Sequence, residues 1–190
     1  MNFDKAYVIG SKDFAPSRLK NFYNNIKKLD IDITLWEAVN GAQVNISEYI
    51  KKGYLVDNFQ LRMAGSLGCL LSHVTLWEHC KSDKNCDVAL IFEDDAVLLD
   101  NFIENLKSIE YDDLPKDWSI IKLGYRGLSG ENYSSSIIKP NPIKDKGVNA
   151  GNWCYLLNTK NIHRLKEVII PYNNKISLDV ILRNNIEKLN

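Results

Sequence analysis

The sequence predicts an α/β fold: a single domain over residues 1–190 with a mostly parallel central sheet and helices on both faces. Three observations carry this. A short apolar strand, a helical stretch and a second strand follow one another within the first 38 residues, the order of a βαβ unit, whose two strands lie parallel. A continuous apolar run at 88–92 has the composition of a strand buried on both faces. A chain of 190 residues is also long enough to bury a full core without staples.

Taken in order, residues 6–9 form the first strand and 10–17 a polar loop with Gly and Pro. Residues 18–29 have helical spacing, with Leu19, Phe22, Tyr23, Ile26 and Leu29 on one face. Residues 33–38 read as the second strand, followed by a turn at Asn40-Gly41. The stretch 45–61 is less regular, with one short helix near 46–52. Residues 65–80 are the most strongly patterned segment. Leu67, Leu70, Leu71, Val74 and Trp77 share one helical stripe, while Gly65, Cys69 and Ser72 fall opposite, with Gly68 beside them. A glycine costs about 1 kcal/mol inside a helix, so this small face implies close packing or a ligand, unless Gly65 and Gly68 belong to the preceding turn. His73, at the edge of the stripe, is placed as a structural hydrogen-bonder more often than as a ligand.

A polar loop at 82–87 leads into the apolar strand 88–92 and its acids. Residues 101–109 read as a helix with Asp100 as N-cap, and 118–123 as a strand ending at Gly124-Tyr125. The segment 126–146, rich in Ser, Gly, Asn and Pro, reads as a long surface loop with one extended strand near Ile137-Ile138. Residues 153–157 form the last strand. A helix at 161–170 is stopped by Pro171, and 178–189 form a final helix. There is no internal repeat.

Lys plus Arg and Asp plus Glu both number 24, so there is no global basic field and nucleic acid is not an expected partner. The four cysteines show neither CxxC nor zinc spacing. Cys69 and Cys154, among apolar neighbours, read as small buried hydrophobes, and a reducing compartment is expected. Asp4 and Lys5 precede the first strand without a signal-peptide pattern, and no apolar run approaches a membrane span. The expected location is the cytoplasm, including peripheral association with the inner face of a membrane.

The most informative stretch is the apolar run leading into Glu93-Asp94-Asp95. Open α/β sheets place their ligands at the carboxyl ends of strands. Two carboxylates about 6 Å apart repel by roughly 3 kcal/mol at an effective dielectric near 20. Three together invite a cation, and hard oxygen donors suit Mg²⁺ or Mn²⁺. A solvated acidic turn is the alternative. Residues two apart in a strand share a face, so Glu93 and Asp95 can reach one ion while Asp94 points elsewhere. Should the chain turn at Asp94, Asp94 becomes the better partner of Asp95.

Several segments together match one family in order and spacing. They are the strand Tyr7-Val8-Ile9 with Ser17-Arg18 at the next helix start, and the turn Ala38-Val39-Asn40-Gly41. The most specific is Gly65-Ser66-Leu67-Gly68-Cys69-Leu70-Leu71-Ser72-His73, followed by Val74 and Trp77. Glu93-Asp94-Asp95, Gly151-Asn152-Trp153-Cys154-Tyr155-Leu156-Leu157 and Leu178-Asp179 complete the set. In these features the chain resembles glycosyltransferase family 25, the lipooligosaccharide-type sugar transferases whose relatives include collagen galactosyltransferases. The matches run from about residue 7 to residue 182. Two features depart from the family pattern: the loop after Gly10 lacks the usual Asn-Leu ending of the first strand, and the C-terminus after Asp179 is short.

The resemblance implies a GT-A-like fold, a UDP-sugar donor carrying a hexose (galactose or glucose), and a glycan, lipooligosaccharide or glycoprotein acceptor. It implies a divalent ion, Mn²⁺ or Mg²⁺, at Asp95 and Glu93. An inverting transfer needs a general base. The resemblance offers Asp179 for it, against a role as a helix-start acid favoured by the helix dipole. Arg18, Gly68, Ser72, His73, Asp94 and Trp153 are the implied donor-binding residues. Arg18 reads equally as a surface charge, and Ser72 and His73 as locks between helix and sheet. Trp153 and Tyr155 can stack on sugar or base, with buried core the expectation for Tyr155. Two other readings stand beside an active transferase. One is a non-catalytic member of the same fold that binds a nucleotide sugar or a partner protein. The other is a metal-dependent phosphohydrolase, against which stands the lack of further Asp or His clusters.

Overall fold

The computed structural model describes residues 2–27, 29–141 and 148–189. The elements run β1 (Lys5–Gly10), α1 (Pro16–Ile26), β2 (Thr34–Glu37), α2 (Ile46–Lys51), α3 (Ala64–Ser82), β3 (Val88–Glu93), α4 (Phe102–Lys107), β4 (Ile120–Arg126), β5 (Gly130–Asn132), β6 (Ile138–Pro140), β7 (Ala150–Asn158), α5 (Ile162–Ile169), α6 (Leu178–Asn184) and α7 (Ile186–Leu189). The central sheet has the order β2-β1-β3-β7-β4. β1 pairs in parallel with β2 and β3, through Tyr7 opposite Thr34 and Ile9 opposite Glu93. β7 is antiparallel to both β3 and β4. β4 therefore points the same way as β1, β2 and β3, and the sheet is mostly parallel with β7 reversed inside it.

Alternation along the strands sorts the core into two layers, one on each face of the sheet. Tyr7, Ile9, Ala89, Ile91, Tyr155 and Leu157 face the side covered by α3, α5 and α6. Ala6, Val8, Leu90, Phe92, Cys154 and Leu156 face the side covered by α1 and α4. Val88 to Phe92 are all buried, as a central strand between two helical layers must be. Burying each Leu, Ile or Phe side chain contributes about 1.5–3 kcal/mol, so these two layers are the main source of stability. This is the expected α/β architecture with helices on both faces. Among the described residues, no helix is long and apolar enough to cross a membrane.

The structure corrects several local expectations. α3 is not amphipathic: Gly68, Ser72, His73 and Leu76 are buried together with the predicted stripe. It packs against the sheet on one side and α5 and α6 on another, so little of it is left for water. The N-cap position of α4 is Asn101 rather than Asp100, and no side chain caps it. The stretch read as a loop with one strand contains a small hairpin, β5 with β6; residues 142–146 of it lie outside the described residues. The last helix is broken at Asn185 into α6 and α7. All four cysteines are free, but Cys69 is exposed while Cys154 is buried.

Candidate active site

β1 leads to β2 on one side, while β3 lies on its other side. The connection order thus reverses between β1 and β3, and a crevice opens at their carboxyl ends, the usual ligand position in such sheets. Gly10 and Glu93 end the two strands there. The chain then turns: the Asp94 N–H donates to the Ile9 carbonyl (3.1 Å) and the Ala96 N–H to the Glu93 carbonyl (3.0 Å). Strand alternation therefore does not reach Asp95. Glu93 turns to α3, whereas Asp94 and Asp95 share a partner on α1. The pairing of Glu93 with Asp95 across one strand face is corrected to a pairing of Asp94 with Asp95.

That shared partner is Arg18. Ser11, buried behind β1, donates to Glu37 Oε1 (2.5 Å) and accepts the N–H groups of Asp13 (3.1 Å) and Phe14 (3.3 Å). This fixes the loop that delivers α1, and Pro16 at its first position suits the helix start. From the first turn, Arg18 reaches Asp94 Oδ1 (2.6 Å) and Asp95 Oδ2 (3.0 Å). Gly10 makes room for Asp94: a Cβ there would lie 3.1 Å from the Asp94 Cβ and 3.3 Å from its Oδ2. Burial raises the pKa of Asp94, helped by the charges of Asp95 and Glu93 and opposed by Arg18. Burial and then Glu93 likewise raise that of Asp95, again against Arg18. One arginine shared by two carboxylates leaves net negative charge at the turn.

Glu93 Oε1 sits 3.0 Å from His73 Nε2 and 3.9 Å from Cys69 Sγ. His73 is buried, and its Nδ1 lies 2.6 Å from the Tyr155 hydroxyl, which also accepts the Trp77 indole N–H at 2.8 Å. His73 therefore meets the crevice only through Glu93, and Tyr155 is core, as expected. Cys69 is exposed, yet atoms crowded around its sulfur and then the charges of Glu93, Asp179 and Asp95 raise its thiol pKa.

At Gly68 and Ser72 the small face of α3 is filled by the chain itself, while Gly65 and Cys69 are exposed. A Cβ on Gly68 would lie 2.4 Å from the Val39 carbonyl oxygen and 2.9 Å from the Gly41 nitrogen. Ser72 Oγ accepts the Val39 N–H (2.8 Å) and donates to the Gly68 carbonyl (2.7 Å). Gly68 and Ser72 lock the β2–α2 loop to the helix, the close packing that the sequence offered as the alternative to donor contact. Trp153 packs over Gly151, whose φ of +88° favours glycine; a Cβ there would meet the Trp153 ring at 2.8 Å. Its indole is half-buried against the α1 side of the core.

Asp179 enters from the start of α6. Its Oδ1 accepts the Ser177 hydroxyl (2.5 Å) and its Oδ2 the Gly151 N–H (3.3 Å). Burial pushes its pKa up, but the bonds from Ser177, Gly151 and Val180 and the charge of Lys122 outweigh it, holding the carboxyl below its ordinary value. Lys122, on β4, was not singled out from the sequence. Burial pushes it down to about 8, against the pull of Asp179 and Glu93. The signal was a lone charge inside the apolar stretch Ile120-Ile121-Lys122-Leu123. Register shifts on either side of Gly124 mark a bulged edge here, a common device for aiming side chains. Asn152 was also passed over. Its buried Oδ1 has no partner among the described residues, although a buried acceptor ordinarily has one. Beside Lys122 and Asn149 lies a cavity of about 390 Å³, walled by β4, the β5–β6 hairpin, Leu182 and Arg183.

The family model and the curated relatives agree with the motifs. In structure, the chain aligns over 96% of its length with 69% of a chain of an LgtC active-site mutant, at 13% identity and a TM-score of 0.48. Among curated proteins, it is 29% identical over 140 residues to a Rattus norvegicus protein named "Probable inactive glycosyltransferase 25 family member 3", covering 69% of this chain and 24% of that protein. It is 28% identical over 141 residues to "Procollagen galactosyltransferase 2" of Homo sapiens, covering 67% of this chain and 22% of that protein. The chain thus spans about a quarter of the length of these relatives. The family model described as "Glycosyltransferase family 25 (LPS biosynthesis protein)" matches residues 3–175. With nearly the whole chain matched by that model, the chain belongs to glycosyltransferase family 25.

Proposed function

We propose that the chain transfers a hexose, galactose or glucose, from a UDP-sugar to a hydroxyl of a glycan, lipooligosaccharide or glycoprotein, with inversion. The observation that carries this reading is the gathering of Glu93, Asp94 and Asp95 at the end of β3 beside Arg18, with Asp179 bonded to Gly151 at the neighbouring start of β7. The acids suit a divalent ion: their donors are hard oxygens, and burial, helped by the neighbouring carboxylates, raises the pKa of Asp94 and Asp95 despite Arg18. Asp95 and Asp94, brought together at the turn, would hold Mn²⁺ or Mg²⁺, with Glu93 facing the same ion from the α3 side. When bound, the ion supplies Lewis-acid neutralisation of the diphosphate leaving group. Arg18, with its side chain 53% exposed, can turn part of its guanidinium to the donor's phosphates.

Asp179 is the proposed general base. Its depressed pKa keeps it ionised at neutral pH, and Ser177 and the Gly151 N–H hold it in one orientation. As the acceptor oxygen bonds to the anomeric carbon, its proton passes to the Asp179 carboxylate. The bond from that carbon to the diphosphate oxygen breaks, and UDP leaves with the electron pair. Lys122, close enough for its charge to act on Asp179, limits how basic the carboxylate can become. The cavity beside Lys122 is the proposed side of acceptor entry.

A second reading has its own support. Arg18 already pairs with two of the acids, and some similar proteins carry the word inactive in their names. On that reading the chain binds a nucleotide sugar or a partner without transfer. The test is UDP release from a panel of UDP-sugars with and without Mn²⁺ and with candidate acceptors. Mn²⁺-dependent release that needs an acceptor supports transfer. Donor binding without release from any acceptor favours the second reading.

A further inference from the structure

Trp77, Tyr155 and His73 form a line of hydrogen bonds that runs from the core to Glu93 and has one self-consistent direction. The Trp77 indole can only donate, so the Tyr155 oxygen accepts it (2.8 Å). Tyr155 is fully buried, and burial holds its phenol pKa well above the ordinary value, so the hydroxyl keeps its hydrogen. Among the described residues, the acceptor within reach of that hydrogen is His73 Nδ1, at 2.6 Å. His73 Nδ1 must then be the bare nitrogen, and the ring proton sits on Nε2, where it donates to Glu93 Oε1 (3.0 Å). Any form with a proton on Nδ1 leaves the buried Tyr155 O–H without an acceptor, which costs about 1–3 kcal/mol.

Both groups that reach Glu93, His73 Nε2 and Cys69 Sγ, approach the same oxygen, Oε1. Among the described residues, no hydrogen bond reaches Oε2. Cys69, His73 and Glu93 have ligand atoms within 4.8 Å of one another, a spacing that would suit a soft metal. The Nε2 proton argues against such a metal, since it occupies the lone pair that a metal would need. We infer that the Trp77–Tyr155–His73 line is a positioning device for Glu93, fixing Oε1 towards α3 and presenting Oε2 to the donor or its cation. The inference rests on the donor-binding reading above. His73 is thus a positioning residue, acting through Glu93.

The test has two parts. The first needs no ligand: ¹⁵N-histidine NMR on the whole chain, which has three histidines, with His73→Gln used for assignment. The neutral His73 ring is expected as the Nε2–H tautomer; the Nδ1–H tautomer overturns the inference. The second measures UDP affinity in Mn²⁺. His73→Gln can accept from Tyr155 through its carbonyl and donate to Glu93 through its amide, and should stay within about threefold of the unmodified chain. His73→Leu can do neither and should lose about tenfold or more, the usual scale for a hydrogen bond to a charged group. If His73→Leu does not fold, Tyr155→Phe, which removes one hydroxyl, replaces it and should weaken binding in the same direction. Folded Leu or Phe variants with unchanged affinity overturn the inference alone. An unmodified chain that binds no UDP overturns the donor reading, and this inference with it, whatever the tautomer.

Discussion

Two glycines in the first turns of α3 should respond to alanine in opposite ways. A Cβ on Gly68 would stand 2.4 Å from the Val39 carbonyl oxygen and 2.9 Å from the Gly41 nitrogen, with backbone on both counts. The first contact is about 1 Å shorter than an ordinary one, so the β2–α2 loop must move. Overpacking of this kind costs about 1–3 kcal/mol. The Ser72–Val39 bond, 2.8 Å long, strains as the loop shifts and adds about 1 kcal/mol. The helix preference of alanine returns about 1 kcal/mol. The net expectation for Gly68→Ala is a loss of about 1–3 kcal/mol, which lowers Tm by about 3–10 °C at this chain length. A Cβ on Gly65 meets nothing within 4 Å, so Gly65→Ala should leave Tm unchanged or raise it by about 2–4 °C. Thermal melts of both variants, with UDP affinity measured in parallel, decide the matter. A Gly68→Ala chain with unchanged Tm and lost UDP binding would refute the packing role and return that face of α3 to the donor.

Further outcomes concern the charged groups. Arg18→Ala should strengthen binding of Mn²⁺ alone, because a competing cation leaves Asp94 and Asp95, while weakening binding of the Mn²⁺–UDP pair; calorimetry reads both, and parallel changes would contradict the shared pairing. Asp179→Asn should slow transfer by about 10²–10⁴-fold with donor affinity retained, whereas unchanged turnover removes it as base. The same variant has a pH signature: because the folded pKa lies below 3.8, the carboxylate's stabilising contribution is complete above that value and lost as pH falls through the lower folded value. The Tm gap between the two chains should therefore narrow in acid. Lys122 has the opposite sense, its folded value of about 8 lying below the unfolded 10.5. Its charge opposes folding below pH 8, and that penalty fades as pH rises to 10.5. Lys122→Met should raise Tm at pH 7, by as much as about 3 kcal/mol would give, and lose the advantage near pH 10; a lower Tm at pH 7 would show that the ammonium stabilises the fold.

Much of the frame was legible because burial leaves a period in the sequence. The βαβ start, the buried strand 88–92 and the helix that became α3 all follow from where apolar residues recur. Strand direction leaves no such trace, so the reversed β7 within a mostly parallel sheet could not be read from 153–157. The β5–β6 hairpin was missed because Gly130-Glu131-Asn132 is polar and wholly exposed, without the alternation that marks a strand. At the site, Arg18, His73, Tyr155, Trp77 and the three acids were each visible as residues. Their partnerships join distant segments and come only with the fold, as in Arg18 with Asp94 and His73 with Tyr155. The small face of α3 was legible as a need for close approach, but not as a need met by Val39 and Gly41. Lys122 was in view as a charge in an apolar strand and carried more information than it was given.

The most direct measurement is calorimetric titration of UDP into the unmodified chain and into Asp95→Ala, each with Mn²⁺ and with a chelator. Asp95 lies beyond the end of β3 and is about half exposed, so its removal should leave the fold intact, with Tm near that of the unmodified chain. UDP should bind the unmodified chain more tightly with Mn²⁺ than without, and the Mn²⁺-dependent part should vanish in Asp95→Ala. Equal, Mn²⁺-enhanced affinity in both chains, or no UDP binding by either, would contradict a donor site built on the acids at the end of β3.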